Sequence, residues 1–220
     1  MNLGELVALV ADYLNRSDMT TRIPTFIQIA QRKIERGGKY VVNGQEVQIN
    51  GKYDCMKYLD DPNTSTDRLT VPTGYMETIF LKVNVNGDLV SLTKKTPEEI
   101  LEKYPNITSD IGVPEEYAYM PDTGDILLRP TPDKAYDFSH YIYQHLTVLA
   151  LNADTNYWSQ GLWEILLYGA LLEASPYLMN DARAPLWLEA FGGSLSNLQD
   201  DESRSEISGS HLYIKPYYCI

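Results

Sequence analysis

The sequence is short of the residues that build many kinds of site. Its 220 residues include two cysteines, Cys55 and Cys219, which lie far apart and form no CxxC pattern. That argues against a disulfide scaffold and a cysteine-built metal centre, and it predicts a reducing compartment. Of the three histidines, His140 and His145 stand five apart with no HExxH spacing and no obvious third ligand, so no metal is expected. No run of eighteen or more uncharged apolar residues is present to cross a bilayer, and Met1-Asn2-Leu3-Gly4-Glu5 lacks the basic flank and apolar stretch of a secretion signal. An unexported chain with no membrane partner is the expectation. Cations are the scarce charge: 18 Lys and Arg stand against 30 Asp and Glu, a net charge of −12. Such a chain repels phosphate backbones as a whole, which leaves only a local basic stripe for nucleic acid.

What is present is an ordinary globular composition, 44% hydrophobic, at a length that suits one domain with an insertion or two small ones. Seventeen tyrosines stand out. Tyrosine couples a large apolar area to a polar tip, which suits protein interfaces and half-buried sheets alike.

The first segment has Leu3, Leu6, Val7, Val10 and Leu14 at helical spacing, with Asn2 and Glu5 forming a capping box, and predicts a helix to about Asn15. A second helix follows, with Pro24 in its first turn, Ile23, Phe26, Ile27, Ala30 and Ile34 on its apolar face, and Gly37-Gly38 as its stop. Arg22, Arg32, Lys33 and Arg36 fall together on a separate face, either a solvated surface or a surface that docks an acidic protein or DNA. From Lys39 to about Ala153 the pattern shifts to short β-prone runs broken by Asn43-Gly44, Asn50-Gly51, Asn86-Gly87 and Thr123-Gly124. Its best strands are Arg68 to Pro72, Glu77 to Val85, Leu89 to Leu92, Ile126 to Arg129 and Tyr136 to Tyr143, with a short helix from Pro97 to Tyr104 capped by Thr96. In the last strand Tyr136, Phe138, His140 and Ile142 share one face.

A long apolar helix is predicted from about Asn156 to Met179, kinked at Pro176, with Glu164 and Glu173 as its only charges and on opposite sides. It needs cover from most directions, by the other helices or by neighbouring chains. A final helix capped by Asp181 carries Leu186, Trp187, Ala190, Phe191, Ser194, Leu195 and Leu198 inward and is expected to end near Gln199. An acidic tether, Asp200 to Ser210, then leads to Leu212, Tyr213, Ile214, Tyr217, Tyr218, Cys219 and Ile220. A polar tether with an apolar tip reads as a segment that docks on a partner, as by adding a strand to its sheet edge, or as one that folds back onto the chain's own core.

The expected class is therefore α+β. Residues 1–38 and 154–200 form a helical body with two N-terminal and two C-terminal helices, 39–153 an inserted antiparallel β domain, and 201–220 an extended tail.

No enzyme signature survives inspection. Tyr157-Trp158-Ser159-Gln160-Gly161 lacks the leading glycine of a nucleophile elbow, and Gly192-Gly193 has neither a preceding strand nor a following lysine. The carboxylate pairs Glu115-Glu116, Asp122 with Asp125, and Asp133 with Asp137 suit turns, although a carbohydrate-directed enzyme or glycan-binding domain using Glu116 or Asp133 is the alternative reading. A DNA-end protein using Arg22, Arg32, Lys33 and Arg36 is a third.

Three blocks in order resemble one known family. They are LVALVADYLNRSDMTTRIPTFIQIAQRKIER (Leu6 to Arg36); Val113-Pro114, Tyr117, Gly124 to Asp133 and Tyr136; and LLYGALLEASPYLMNDARAPLWLEAF within Asn156 to Leu198. The family is the head-to-tail adaptors of tailed bacteriophages, best known in short-tailed phages. Family members pass more quickly into their first strand than this chain does at Lys39 to Asp67, and often carry an acid where Gln31 stands. The resemblance implies a structural virion protein of the neck, assembled in the host cytoplasm, without catalysis or cofactor. It implies a ring, twelve copies, joining portal to tail nozzle and fibres, with DNA passing transiently on ejection. It assigns portal docking to Leu212, Tyr213, Ile214, Tyr217, Tyr218 and Ile220, while the charged helix faces make Arg22, Arg32, Lys33, Arg36, Glu164 and Glu173 the expected subunit or partner contacts.

Overall fold

In a computed structural model, residues 1–106, 108–179 and 182–207 are described. The expected Asp181 cap and the docking segment Leu212 to Ile220 lie outside the described residues. Six helices are described: α1 (Leu3–Leu14), α2 (Ile23–Arg36), α3 (Pro97–Lys103), α4 (Tyr157–Gly161), α5 (Trp163–Ala174) and α6 (Ala184–Ile207). The strands are β1 (Gly38–Val42), β2 (Gln45–Ile49), β3 (Lys57–Asp60), β4 (Asn63–Thr64), β5 (Arg68–Thr70), β6 (Tyr75–Val85), β7 (Asp88–Ser91) and β8 (Thr93–Lys94). They continue with β9 (Ile111–Gly112), β10 (Glu116–Met120), β11 (Asp125–Arg129), β12 (Thr131–Pro132) and β13 (Tyr136–Gln144). The class is α+β, and the chain divides into two compact units, residues 1–55 with those from 146 onward, and residues 56–145.

The first unit is mostly helical. The Asn2 side chain accepts from the Glu5 amide at 2.8 Å while Glu5 Oε2 accepts from the Asn2 amide at 2.9 Å, so α1 starts with its orphan donors satisfied. Gly37 ends α2 at φ +84°, where an added Cβ would stand 2.8 Å from the Asn50 carbonyl oxygen. Helix α2 buries Ile23, Ile27, Ala30 and Ile34. It packs closely on α5 because Gly169 has no side chain: a Cβ there would lie 3.0 Å from that of Ala30.

Four expectations change in the helices that follow. The predicted single helix from Asn156 is two helices, broken at Leu162, which leaves the helical region at φ −132°, ψ 33°. The second half stops at Ala174 and does not kink through Pro176: a proline there has no amide to give the carbonyl four residues back, and its ring crowds that turn. The apolar α5 is covered within its own unit by α1, α2, α4 and α6, so its burial requires no neighbouring chain. Helix α6 continues past Gln199 to Ile207, with Glu202 Oε1 accepting the Asp54 amide at 2.8 Å, so the first part of the expected tether is helical. Leu186, expected inward, is exposed, and Trp187, Leu188, Phe191, Leu195 and Leu198 form the buried side.

The hairpin β1–β2 turns through Asn43-Gly44, both at positive φ, as a two-residue turn of the primed type demands. The sequence reading grouped it with the β region. In the structure the Tyr40 ring meets Phe191 of α6 edge-on at 5.0 Å, and Val47 covers Gly192, which keeps the hairpin in the first unit.

The second unit is built on two larger sheets, with β9 and β12 forming a short parallel pair beside them. One orders β3-β13-β6-β7, with β4 added beside β13, and the other orders β5-β11-β10-β8. Leu81, Val83 and Phe138 of the first sheet share a core with Leu69, Tyr117, Ile126 and Leu128 of the second. Ala118 and Leu127, on the second sheet's other face, pack on Ile100 of α3. Strand β11 is consequently buried on both faces, unlike a strand of an open sheet. Tyr136, Phe138, His140 and Ile142 do face inward together.

Candidate subunit and partner interface

The four cations expected to share a face of α2 meet four different fates. Arg22, at the helix's N-terminal cap, lies over the Tyr177 ring at 5.1 Å, which itself tilts against Phe26. Arg32 Nη1 donates to Glu35 Oε2 at 3.0 Å. Glu35 is fully buried, and its other oxygen accepts from Gln31 Nε2 at 2.7 Å. Gln31 Oε1 in turn accepts from Asn156 Nδ2 at 3.3 Å, tying α2 to the cap of α4. Lys33 Nζ sits 3.1 Å from Glu173 Oε1 and 3.7 Å from the centroid of the Tyr40 ring. Burial, with the Glu173 charge second, raises the Tyr40 hydroxyl far above its ordinary pKa. Arg36 is exposed and, unlike the other three, has neither an ion-pair partner nor a ring contact among the described residues.

Two of the predicted contact residues, Lys33 and Glu173, are thus each other's partner inside one chain. They line a cleft of about 630 Å³ between α2, β1, the end of α5 and the start of α6. Arg32, Lys33 and Arg36 rim a second groove, about 520 Å³, with Ile29 and Val148 as its apolar lining and Ile29 45% exposed. Glu164, exposed in the first turn of α5, lies with Asp201, Asn197 and Ser194 around a smaller cleft of about 170 Å³.

Asp201 and Ile29 were not singled out from sequence. The helical spacing of Leu195, Leu198 and Glu202 was the available signal that α6 continues and that Asp201 belongs to a helix. Burial pushes the half-buried Cys55 thiol up to about 12, away from the thiolate form.

The alternative carboxylates are occupied by their own neighbours. Glu116 accepts from Lys103 Nζ at 2.8 Å, and Asp133 accepts the Tyr136 hydroxyl at 2.7 Å. His140 is buried, its Nε2 2.8 Å from the Thr78 hydroxyl. Among the described residues no group of three or more His, Cys, Asp or Glu is placed to hold a metal, and no helix is long and apolar enough to cross a membrane.

No curated protein matches the chain. The profile of the SU10 adaptor protein family matches residues 1–211, spanning both units. A match over so much of the sequence makes this chain a member of the SU10 adaptor protein family, structural adaptor proteins of the bacteriophage virion.

Proposed function

We propose that this adaptor assembles as a ring beneath the portal of a short-tailed particle, joins it to the tail nozzle and forms part of the channel through which DNA leaves. The family match over residues 1–211 carries the reading. The net charge of −12 supports it, because an acidic wall repels the backbone of DNA in transit. The tight α2–α5 packing gives the first unit a rigid body for assembly. The second unit offers protein contacts of its own: Leu59, Tyr141 and Phe80 are cross-strand neighbours on one sheet, Leu59 and Phe80 are exposed, and the two rings lie 5.1 Å apart. Nozzle or fibre proteins are the partners that such a surface fits. The segment Leu212 to Ile220 is the portal-docking arm in this reading.

Size exclusion with light scattering of the purified chain, alone and mixed with the portal, tests it. A defined oligomer on the portal is expected, and deleting Leu212 to Ile220 should abolish attachment while the thermal melt stays cooperative. A chain that stays monomeric in both conditions refutes the reading.

A further inference from the structure

Among the charges considered for contact, Arg22, Arg36 and Glu164 are exposed without an ion pair or side-chain hydrogen bond among the described residues, and Arg22 is stacked over the Tyr177 ring, which leaves Arg36 and Glu164. They carry opposite signs, and each sits in a depression of its own. Arg36 is at the rim of the groove whose lining includes Ile29 and Val148. Glu164 shares its cleft with Asp201, whose one ion pair among the described residues, to Arg204 at 3.8 Å, is solvent-exposed on both sides.

The two depressions face different ways. Ile34 and Gly169 meet where α2 packs on α5, since a Cβ on Gly169 would lie 3.7 Å from Ile34 Cδ1. Arg36 follows Ile34 by two residues and so points about 200° around α2, away from α5. Glu164 precedes Gly169 by five and lies about 140° around α5 from the α2 contact. The groove therefore opens on the far side of α2 and the acidic cleft on the far side of α5. One molecule cannot close them on each other.

We infer that the Arg36 groove of one copy receives the Glu164–Asp201 cleft of the next, a head-to-tail contact between copies of this chain. This rests on the reading that the chain self-assembles, and it names the surfaces. Charge complementarity selects the occupant: a second copy brings two clefted carboxylates to a cationic groove on a chain that is otherwise strongly acidic. Contacts between two unlike patches repeat around a ring when the rotation closes.

Sedimentation velocity of the full chain at low and physiological salt tests this with Arg36→Glu and Glu164→Arg. Each variant alone should self-associate about tenfold more weakly or worse. An equimolar mixture should recover, because a 36-Glu groove meets a 164-Arg cleft at one interface and the original pair forms at the other. Recovery also excludes misfolding of either variant. If the wild type associates while the variants match it, or the mixture fails to recover, the assignment of surfaces is wrong and self-assembly stands. If the wild type is monomeric both alone and cross-linked on the portal, self-assembly and this contact fall together.

Discussion

Acidification should destabilise the second unit through His140. The imidazole is buried in the core face of β13, with Nε2 on the Thr78 hydroxyl and Nδ1 without a hydrogen-bond partner among the described residues. Burial lowers its pKa from 6.5 to about 4. The folded form therefore binds this proton more weakly than the unfolded chain does, so stability is full above pH 6.5, falls as pH drops, and the loss is complete below about pH 4. A gap of two to three pH units corresponds to about 3 kcal/mol in all, of which about 2 kcal/mol is lost between pH 7 and pH 5. Carboxylates add their own acid lability, so the comparison is with His140→Gln, which keeps a polar group facing Thr78 and removes the titration. Hydrogen-exchange mass spectrometry of the β6 and β13 peptides across a urea series follows the second unit, whereas Trp158, Trp163 and Trp187 all report on the first. The wild type should lose about 2 kcal/mol more than the variant over that interval. Parallel losses would show that the site is hydrated enough to accept the charge.

Three other outcomes follow from the packing. Gly51 adopts φ +69° with its Cβ position 2.5 Å from the Gly37 amide nitrogen, so Gly51→Ala should cost about 2 kcal/mol or more, read in urea by tryptophan fluorescence. A cost below about 0.5 kcal/mol would mean that the Gly37–Gly51 approach is slack. Gly169→Val should force α2 from α5 at about 1–3 kcal/mol and lower the melting temperature, and an unchanged melt would contradict the close approach. Cys55, with its thiol held up to about 12, should react with alkylating reagents at pH 8 at least about a hundredfold more slowly in the native protein than in urea, as followed by peptide mass spectrometry. Rapid native labelling would contradict its burial.

Where local pattern and local chemistry agree, the sequence was a good guide. In α2 the apolar spacing, Pro24 and Gly37 all mark the same helix, and in β13 simple alternation sorted Tyr136, Phe138, His140 and Ile142 from their neighbours. Failures came where a distant partner decides. Asp200 to Glu206 reads as a solvated tether until Glu202 is seen to receive the Asp54 amide, a contact across 148 residues. The hairpin's strands were foreseeable from Asn43-Gly44, but not that Tyr40 would pack on Phe191 of α6. The basic face of α2 was correct as an angular arrangement and misleading as a surface, because its periodicity carries no record of Glu35, Glu173 and Tyr177 reaching three of its four charges.

The central claim is that this adaptor works as an assembled structural element of the virion neck. Imaging the neck of intact particles by cryo-electron microscopy tests it most directly. The account predicts a closed ring of copies of this chain directly below the portal, with Arg36 of each copy beside Glu164 and Asp201 of its neighbour. A neck whose density is fully explained by other proteins, with this chain absent or present as isolated single copies, would contradict it.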